Sequence, residues 1–512
     1  MAQNYLYVIL NSKRKTMKKL SIIFLLMWIS IICISCKNTG EDSGPTKEKI
    51  ADEKITEAVT RELQHYPEVP AQKIDAATQN SIVTLTGSVS NLLAYEKAEE
   101  IASIVRGVEG VINRINVETK FVPDKKLKED IEAMFYNDLI IERYEISVSV
   151  DSGHVILAGD INSWGEKQLS EDIAKYVTGV KSIDNQIKIV YQDDRTDSEI
   201  KTDVAGLLQF DVRLDYSDIE VEVNNGIVHL RGTVGSLFEK SKARNLAWVL
   251  GVDSVNTDNL FIDAQKRNLK RTNIRGIEKS DKEIKNAVKK ALEYDVRVNA
   301  LDIVIEVEEG YVTLKGSANT VRAKEAAESD ANNVLGVWGV KNEITVKELE
   351  PKPPKKAITD NTRKTLRLHP YLNPYSIGVE EENGKISLMG KVRNKFDRQL
   401  AEDAVSAIPG VVEIENKLEI DSMLLIEDNT TPQSFMKESD LPVDSIIKTN
   451  IETELWWSPL VNENDIKVKV DNRKAKLTGN VDNRFEKQQA ALNALEGGAS
   501  EVENDIIVEF EF

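Results

Sequence analysis

Val312-Thr313-Leu314-Lys315-Gly316, followed by Gly336-Val337-Trp338-Gly339-Val340-Lys341-Asn342, is the stretch that decides the fold, because its two leading glycines recur at one spacing along the chain. The first belongs to the series Gly87, Gly159, Gly232, Gly316, Gly390 and Gly479. The second belongs to the series Gly107, Gly179, Gly251, Gly336, Gly410 and Gly498, at offsets of 20, 20, 19, 20, 20 and 19. Composition does not produce such a spacing six times over, so the chain is read as one module copied six times.

Counting outward from each strand-closing glycine supplies the rest of the module. Before it come apolar residues in steps of four, as in Ile284, Val288 and Leu292 or Ile447, Ile451 and Leu455, which form one helical stripe. Thirteen residues before it stands an isoleucine in every copy (Ile74, Ile146, Ile219, Ile303, Ile377, Ile466), opening an alternating strand. A turn such as Asn225-Gly226 or Asn383-Gly384 leads into the second strand of a hairpin. Beyond the glycine lie a second helical stretch and a closing strand. The order α-β-β-α-β predicts an α+β fold, a tandem array of six small two-layer sandwiches of about seventy residues. Units of that size bury their own cores only marginally, so packing between neighbouring copies is expected.

These residues resemble the BON domain, whose pattern is a helix, a strand ending hydrophobic-x-Gly, and then Gly-Val-x-x-Val-x-Asn. Gly107 to Asn113, Gly179 to Asn185 and Gly410 to Asn416 keep the rule, whereas Thr257 stands at the asparagine register of repeat three and Gly498-Ala499 replaces Gly-Val in repeat six. The repeats are placed at 48–120, 124–191, 196–263, 280–348, 356–420 and 441–512, with linkers at 264–279 (basic), 349–355 (proline-rich) and 421–440. The resemblance implies a non-enzymatic envelope protein of the osmotically inducible periplasmic kind, which binds phospholipid surfaces or ties envelope components together. A fold by itself names no chemistry.

The first residues agree with export. Lys18 and Lys19 precede the apolar run Leu20 to Ile34, a signal-peptide layout too short for a membrane span, with Met17 as a candidate true start. The run ends Cys33-Ile34-Ser35-Cys36 and resembles a lipoprotein processing box, with residues 1–35 removed, Cys36 lipidated and 36–47 as a tether. Ordinary cleavage, giving a soluble periplasmic or secreted protein, and a retained leader are the alternatives. Both cysteines of the chain lie here, so no disulfide is expected in the mature protein.

The net charge is −18; residues 1–35 carry five basic residues and no acidic one, so their removal leaves −23. A chain this acidic is repelled by nucleic acid and, on average, by anionic headgroups, so lipid binding needs a local patch. One candidate is Lys266, Arg267, Lys270, Arg271 and Arg275, worth about 1 kcal/mol per basic residue at an anionic surface, against the plainer reading of a solvated linker. The other is Trp456 with Trp457. The other repeats carry Gln64, Tyr136, Gln209, Glu293 and Arg367 at the register of Trp456, which predicts an exposed ring suited to a membrane or a partner protein, or to packing on repeat five. The register of Trp457 is mixed (His65, Asn137, Phe210, Tyr294, Leu368) and predicts partial core packing. The four histidines, His65, His154, His229 and His369, fall at scattered registers and are expected at surfaces or turns, with no catalytic constellation, metal site or cofactor. Unequal linkers predict a partly extended array in which repeats one to three are the most rigid part.

Overall fold

The computed structural model describes residues 49–141, 146–191, 194–264, 279–373, 375–424 and 443–508. The leader, Cys36 and the basic cluster from Lys266 to Arg275 lie outside them. Repeat four shows the common plan: helix Asp281–Tyr294, a 3-10 turn Ala300–Asp302 that recurs among the described residues in repeats one, three and six, strands Ile303–Glu308 and Tyr311–Ala318, helix Val321–Asn332 and strand Gly339–Val346, the last broken in repeat two into Ser182–Asn185 and Lys188–Ile189. The first two strands pair antiparallel and the third runs parallel to the second. Five other sheets repeat this order, and each repeat has a separate apolar core between its helices and its sheet.

The strand-closing glycine is explained by a close approach. Gly316 has φ +117°, and a Cβ there would stand 2.1 Å from the Asp302 carbonyl oxygen; Gly232, at φ +116°, would meet Asp218 O at 1.8 Å. Only a residue without a side chain lets the first strand cross so near.

The motif asparagine is a clasp. Asn342 Nδ2 donates to the Lys324 carbonyl at 2.9 Å and to Glu328 at 3.1 Å, while its Oδ1 accepts the Ile344 amide at 3.2 Å. Asn113, Asn185 and Asn416 make the same three bonds in their repeats, tying the second helix to the third strand. Asn504 keeps the bonds to Lys487 O and Ile506 N, so repeat six retains the clasp despite its altered glycine loop. In repeat three the third strand shifts register between Asn256 and Asn259, which carries the asparagine off its place.

A second recurring device joins the first helix to the hairpin. Asp281 accepts the amides of Glu309 (3.0 Å) and Gly310 (2.9 Å) at the turn. Asp52, Asp124, Asp197 and Asp444 hold the corresponding pairs of turn amides. Repeat five has Lys355 at this place, and its turn amide Gly384 N bonds Glu381 instead, at 2.7 Å. A carboxylate held by two N–H groups at a helix start also satisfies the helix dipole.

The repeats are not strung out in sequence order. Repeat one packs on six, two on five and three on four, by one recurring contact. The residue before the second glycine donates its amide to the carbonyl at the end of a partner's first helix: Arg106 to Trp457 O at 3.0 Å, Thr178 to Leu368 O at 2.8 Å, and Leu335 to Phe210 O at 2.7 Å. The expectation of a partly extended array with repeats one to three as its rigid portion is therefore corrected. A helix end that offers a free carbonyl and an apolar side chain gains more by burial in another copy than by facing water.

Candidate functional site

The paired tryptophans sit at the interface of repeats one and six. Trp457 is 8 % exposed and belongs to the core of repeat one. Trp456 is half-buried rather than exposed, its ring edge-on to Trp457 at 4.7 Å and under the Arg106 guanidinium at 4.6 Å. Repeat one, not five, is thus its neighbour. The register misled because the other copies carry polar residues there, and nothing in one repeat's pattern shows a contact made by the whole array. The register of Trp457 has the same use elsewhere: Phe210 packs against the core of repeat four and Tyr294 against that of repeat three.

Arg106 also reaches Glu463 at 3.2 Å, and Arg61 Nε bonds Glu454 at 2.7 Å. Glu62 and Glu454 meet across this interface, 7 % and 2 % exposed. Burial, and then the neighbouring Glu454 carboxyl, push the Glu62 carboxyl up to about 9. Burial pushes Glu454 the same way, but its polar neighbours His65, Glu62 and Arg61, of which Arg61 is hydrogen-bonded to it, outweigh it and hold Glu454 well below the usual carboxylate range. At neutral pH Glu62 therefore holds its proton and Glu454 is ionised.

A cavity of about 370 Å³ opens where repeats two, four and five meet. Met134, Ile173, Ala326, Leu400 and Ala404 give it apolar walls, and Tyr176, His369 and Arg322 give it polar groups. His369 ends the first helix of repeat five and is 3 % exposed, against the expectation of a surface or turn residue. Its ring stacks on Tyr176 at 5.2 Å, and burial pushes its pKa down to about 3, so it is neutral. Nδ1 accepts the Tyr371 amide at 3.3 Å, which places the proton on Nε2. Nε2 has no hydrogen-bond partner, and neither does the buried Nε of Arg322, whose Nη2 bonds Asp138 at 2.7 Å.

A wider cleft of about 810 Å³ lies between repeats one and two, beside Glu96, Glu118, His154 and Lys181, and none of its lining groups is a buried polar atom without a partner. Among the described residues no group of three or more His, Cys, Asp or Glu side chains is arranged to hold a metal, and no helix is long and apolar enough to cross a membrane. His65 sits beside Glu454, while His154 is exposed and His229 lies half-buried in a strand; the structure brings none of them to His369. Sequence reasoning missed the cavity because its wall comes from three repeats. It also missed the helix-start aspartates, although an aspartate thirty-five residues before the strand-closing glycine in five of six copies is a readable signal.

The BON domain model matches residues 51–119, 123–191, 196–263, 280–348, 354–422 and 443–509. The chain is similar to "Osmotically-inducible protein Y" of Escherichia coli, 29% identical over 144 residues that make up 27% of this chain and 72% of that protein. It is also similar to "Outer membrane lipoprotein DolP" of Haemophilus influenzae, 25% identical over 148 residues, 28% of this chain and 76% of that one. Among solved structures, the C-terminal domain of CdsD, a structural protein of the Type III secretion system of Chlamydia trachomatis, aligns at 14% identity over 41% of this chain and 90% of that chain, with a TM-score of 0.12, and no functional reading is taken from it. Six matches that cover most of the sequence, on six sheets of one topology, place this chain in the BON-domain family.

Proposed function

We propose that this chain is a non-enzymatic cell-envelope protein whose six BON repeats form one body held at a membrane by a lipid on Cys36. In this reading it meets phospholipid headgroups through Lys266, Arg267, Lys270, Arg271 and Arg275 and supports envelope integrity under osmotic stress. Six family repeats behind an apolar leader that ends in Cys33-Ile34-Ser35-Cys36 are the observation that carries it. The names of the two relatives, one osmotically inducible and one an outer-membrane lipoprotein, support it. Trp456 and Trp457 are engaged with repeat one, so headgroup contact is assigned to the basic segment instead.

A second reading is a structural or protein-interaction scaffold of the envelope that does not recognise headgroups. Lysines on the sheet faces favour it, because they are engaged by neighbouring acids: Lys385 by Glu413 and Glu415, Lys391 by Asp421, Lys476 by Glu503 and Asp505. Flotation of the chain without residues 1–36 on anionic and zwitterionic liposomes at two salt concentrations separates the readings. Binding to anionic liposomes that weakens with salt, and is lost when the five basic residues are changed to glutamine, supports headgroup contact. No flotation on either lipid leaves the scaffold.

A further inference from the structure

We propose that the cleft of about 810 Å³ between repeats one and two receives an extended segment of a partner protein as an added β-strand, one whose aliphatic side chains alternate with uncharged or basic ones. The lining shows where the backbone lies. Successive side chains of a strand face opposite ways, so a groove over a sheet face is lined by every second residue. This cleft is lined by five in a row, Ile115, Asn116, Val117, Glu118 and Thr119, and on its other wall by Lys181, Ser182 and Ile183. It therefore runs along strand edges rather than over a sheet.

Both edges are open. Gly110–Val117 and Ser182–Asn185 each stand last in their sheets, and no further strand pairs with either among the described residues. Glu118 N bonds Val89 O at 2.7 Å, so the N–H and C=O of Val117, one residue back, point away from their own sheet and into the cleft. Ile115 agrees in sense, because its amide is taken by the Asn113 side chain at 3.2 Å instead of by the neighbouring strand. Open edges are commonly guarded by charge, as Glu413, Glu415, Lys417 and Glu419 guard the third strand of repeat five; Gly110–Val117 carries only Arg114. Five residues at ~3.3 Å each give roughly 16 Å of edge, the length of a short strand.

The walls set the pattern of the guest. Leu92, Tyr95, Val117 and Ile183 offer apolar contact on the side of the cores, while the exposed Asn116 and His154 stand on the opposite side. Glu96, Glu118 and Glu171 are set against Lys181 and against Lys175, which bonds two of them, so the rim has an excess of negative charge and disfavours an acidic segment. Main-chain pairing supplies the affinity and the two unlike walls supply the choice of side chains. Neither Cys36 nor the basic segment contributes to the cleft, so the proposal stands apart from the headgroup reading.

A fluorescein-labelled heptapeptide alternating valine with threonine and lysine tests the proposal on the chain without residues 1–36, read by fluorescence anisotropy. Saturable binding is expected. Val117→Pro deletes a main-chain donor that faces the cleft and no bond of its own sheet, and should weaken binding more than about tenfold. Two further peptides carry N-methyl groups on one set of alternate main-chain nitrogens or the other, with every side chain kept; at least one should lose affinity by a similar factor. Replacing the lysines by glutamates should weaken binding about tenfold at low salt. Circular dichroism and thermal melting establish that each variant is folded. If Val117→Pro is not, Asn116→Lys, an exposed change that guards the edge with charge, takes its place with the same expected loss. Absence of saturable binding overturns the proposal, as does binding unaffected by the edge variant. Full affinity in both N-methylated peptides overturns strand addition, and equal affinity for the glutamate peptide overturns the assignment of charge.

Discussion

Raising the pH should loosen the junction of repeats one and six, and the proton held by the buried Glu62 sets the size of the effect. In the closed interface Glu62 titrates near 9, whereas in water it returns to about 4.5. Between those values the closed form holds a proton that the open form releases, so closure is strongest at the acid end and weakens as pH rises. One such proton changes the balance by about 1.4 kcal/mol per pH unit, which makes opening roughly a hundredfold easier at pH 8 than at pH 6. Glu454 runs in the opposite sense, because its depressed pKa stabilises the closed form above about 4.5 and that contribution is lost only in strong acid. Arg61, His65, Tyr66 and Glu496 also face the pair and keep their places in the test. Hydrogen exchange at the Arg106 amide, which is bonded to Trp457 O, reports the opening directly once corrected for the base dependence of intrinsic exchange. Glu62→Gln keeps the size and polarity of the side chain and cannot ionise. Its opening should change no more than a few-fold from pH 6 to 8 while the unmodified chain changes about a hundredfold. Parallel profiles for the two proteins would refute the assignment of the proton to Glu62.

Trp457→Ala should destabilise the same junction by about 3–5 kcal/mol, the usual cost of deleting a large buried aromatic, and should enlarge the radius of gyration in X-ray scattering without loss of secondary structure. Gly232→Ala forces a Cβ to 1.8 Å from Asp218 O at a φ of +116°; more than about 3 kcal/mol of lost stability is expected in thermal melting, and a neutral result would show that the strand crossing is not tight. Asp281→Ala removes the acceptor for two turn amides and should cost about 1–3 kcal/mol, read as faster exchange of the Glu309 and Gly310 amides.

Within one repeat nearly everything was legible. The two glycines, the isoleucine that opens the first strand and the apolar helix stripe are local, because each answers to a neighbour in the same seventy residues. Asn504 shows that the pattern even survives the changed loop of repeat six. Contacts between repeats were not legible, because they join residues hundreds of positions apart. Arg106 does not announce Trp457, and a glutamate beside a helix stripe looks solvated until Glu62 meets Glu454. His369 is the clearest case: its register is shared with no other histidine, and only the junction of three repeats buries it.

The nesting of one with six, two with five and three with four carries a timetable. A chain made from its N-terminus presents repeat one first, yet that repeat's core is completed by Trp457, near the other end. The inner couple can close as soon as repeat four has emerged, the middle couple after repeat five, and the outer couple only when the last repeat arrives. Assembly therefore proceeds from the centre outward, and a chain cut short before repeat six leaves an apolar socket open on the oldest part of the molecule, a ready mark by which incomplete copies are distinguished from finished ones.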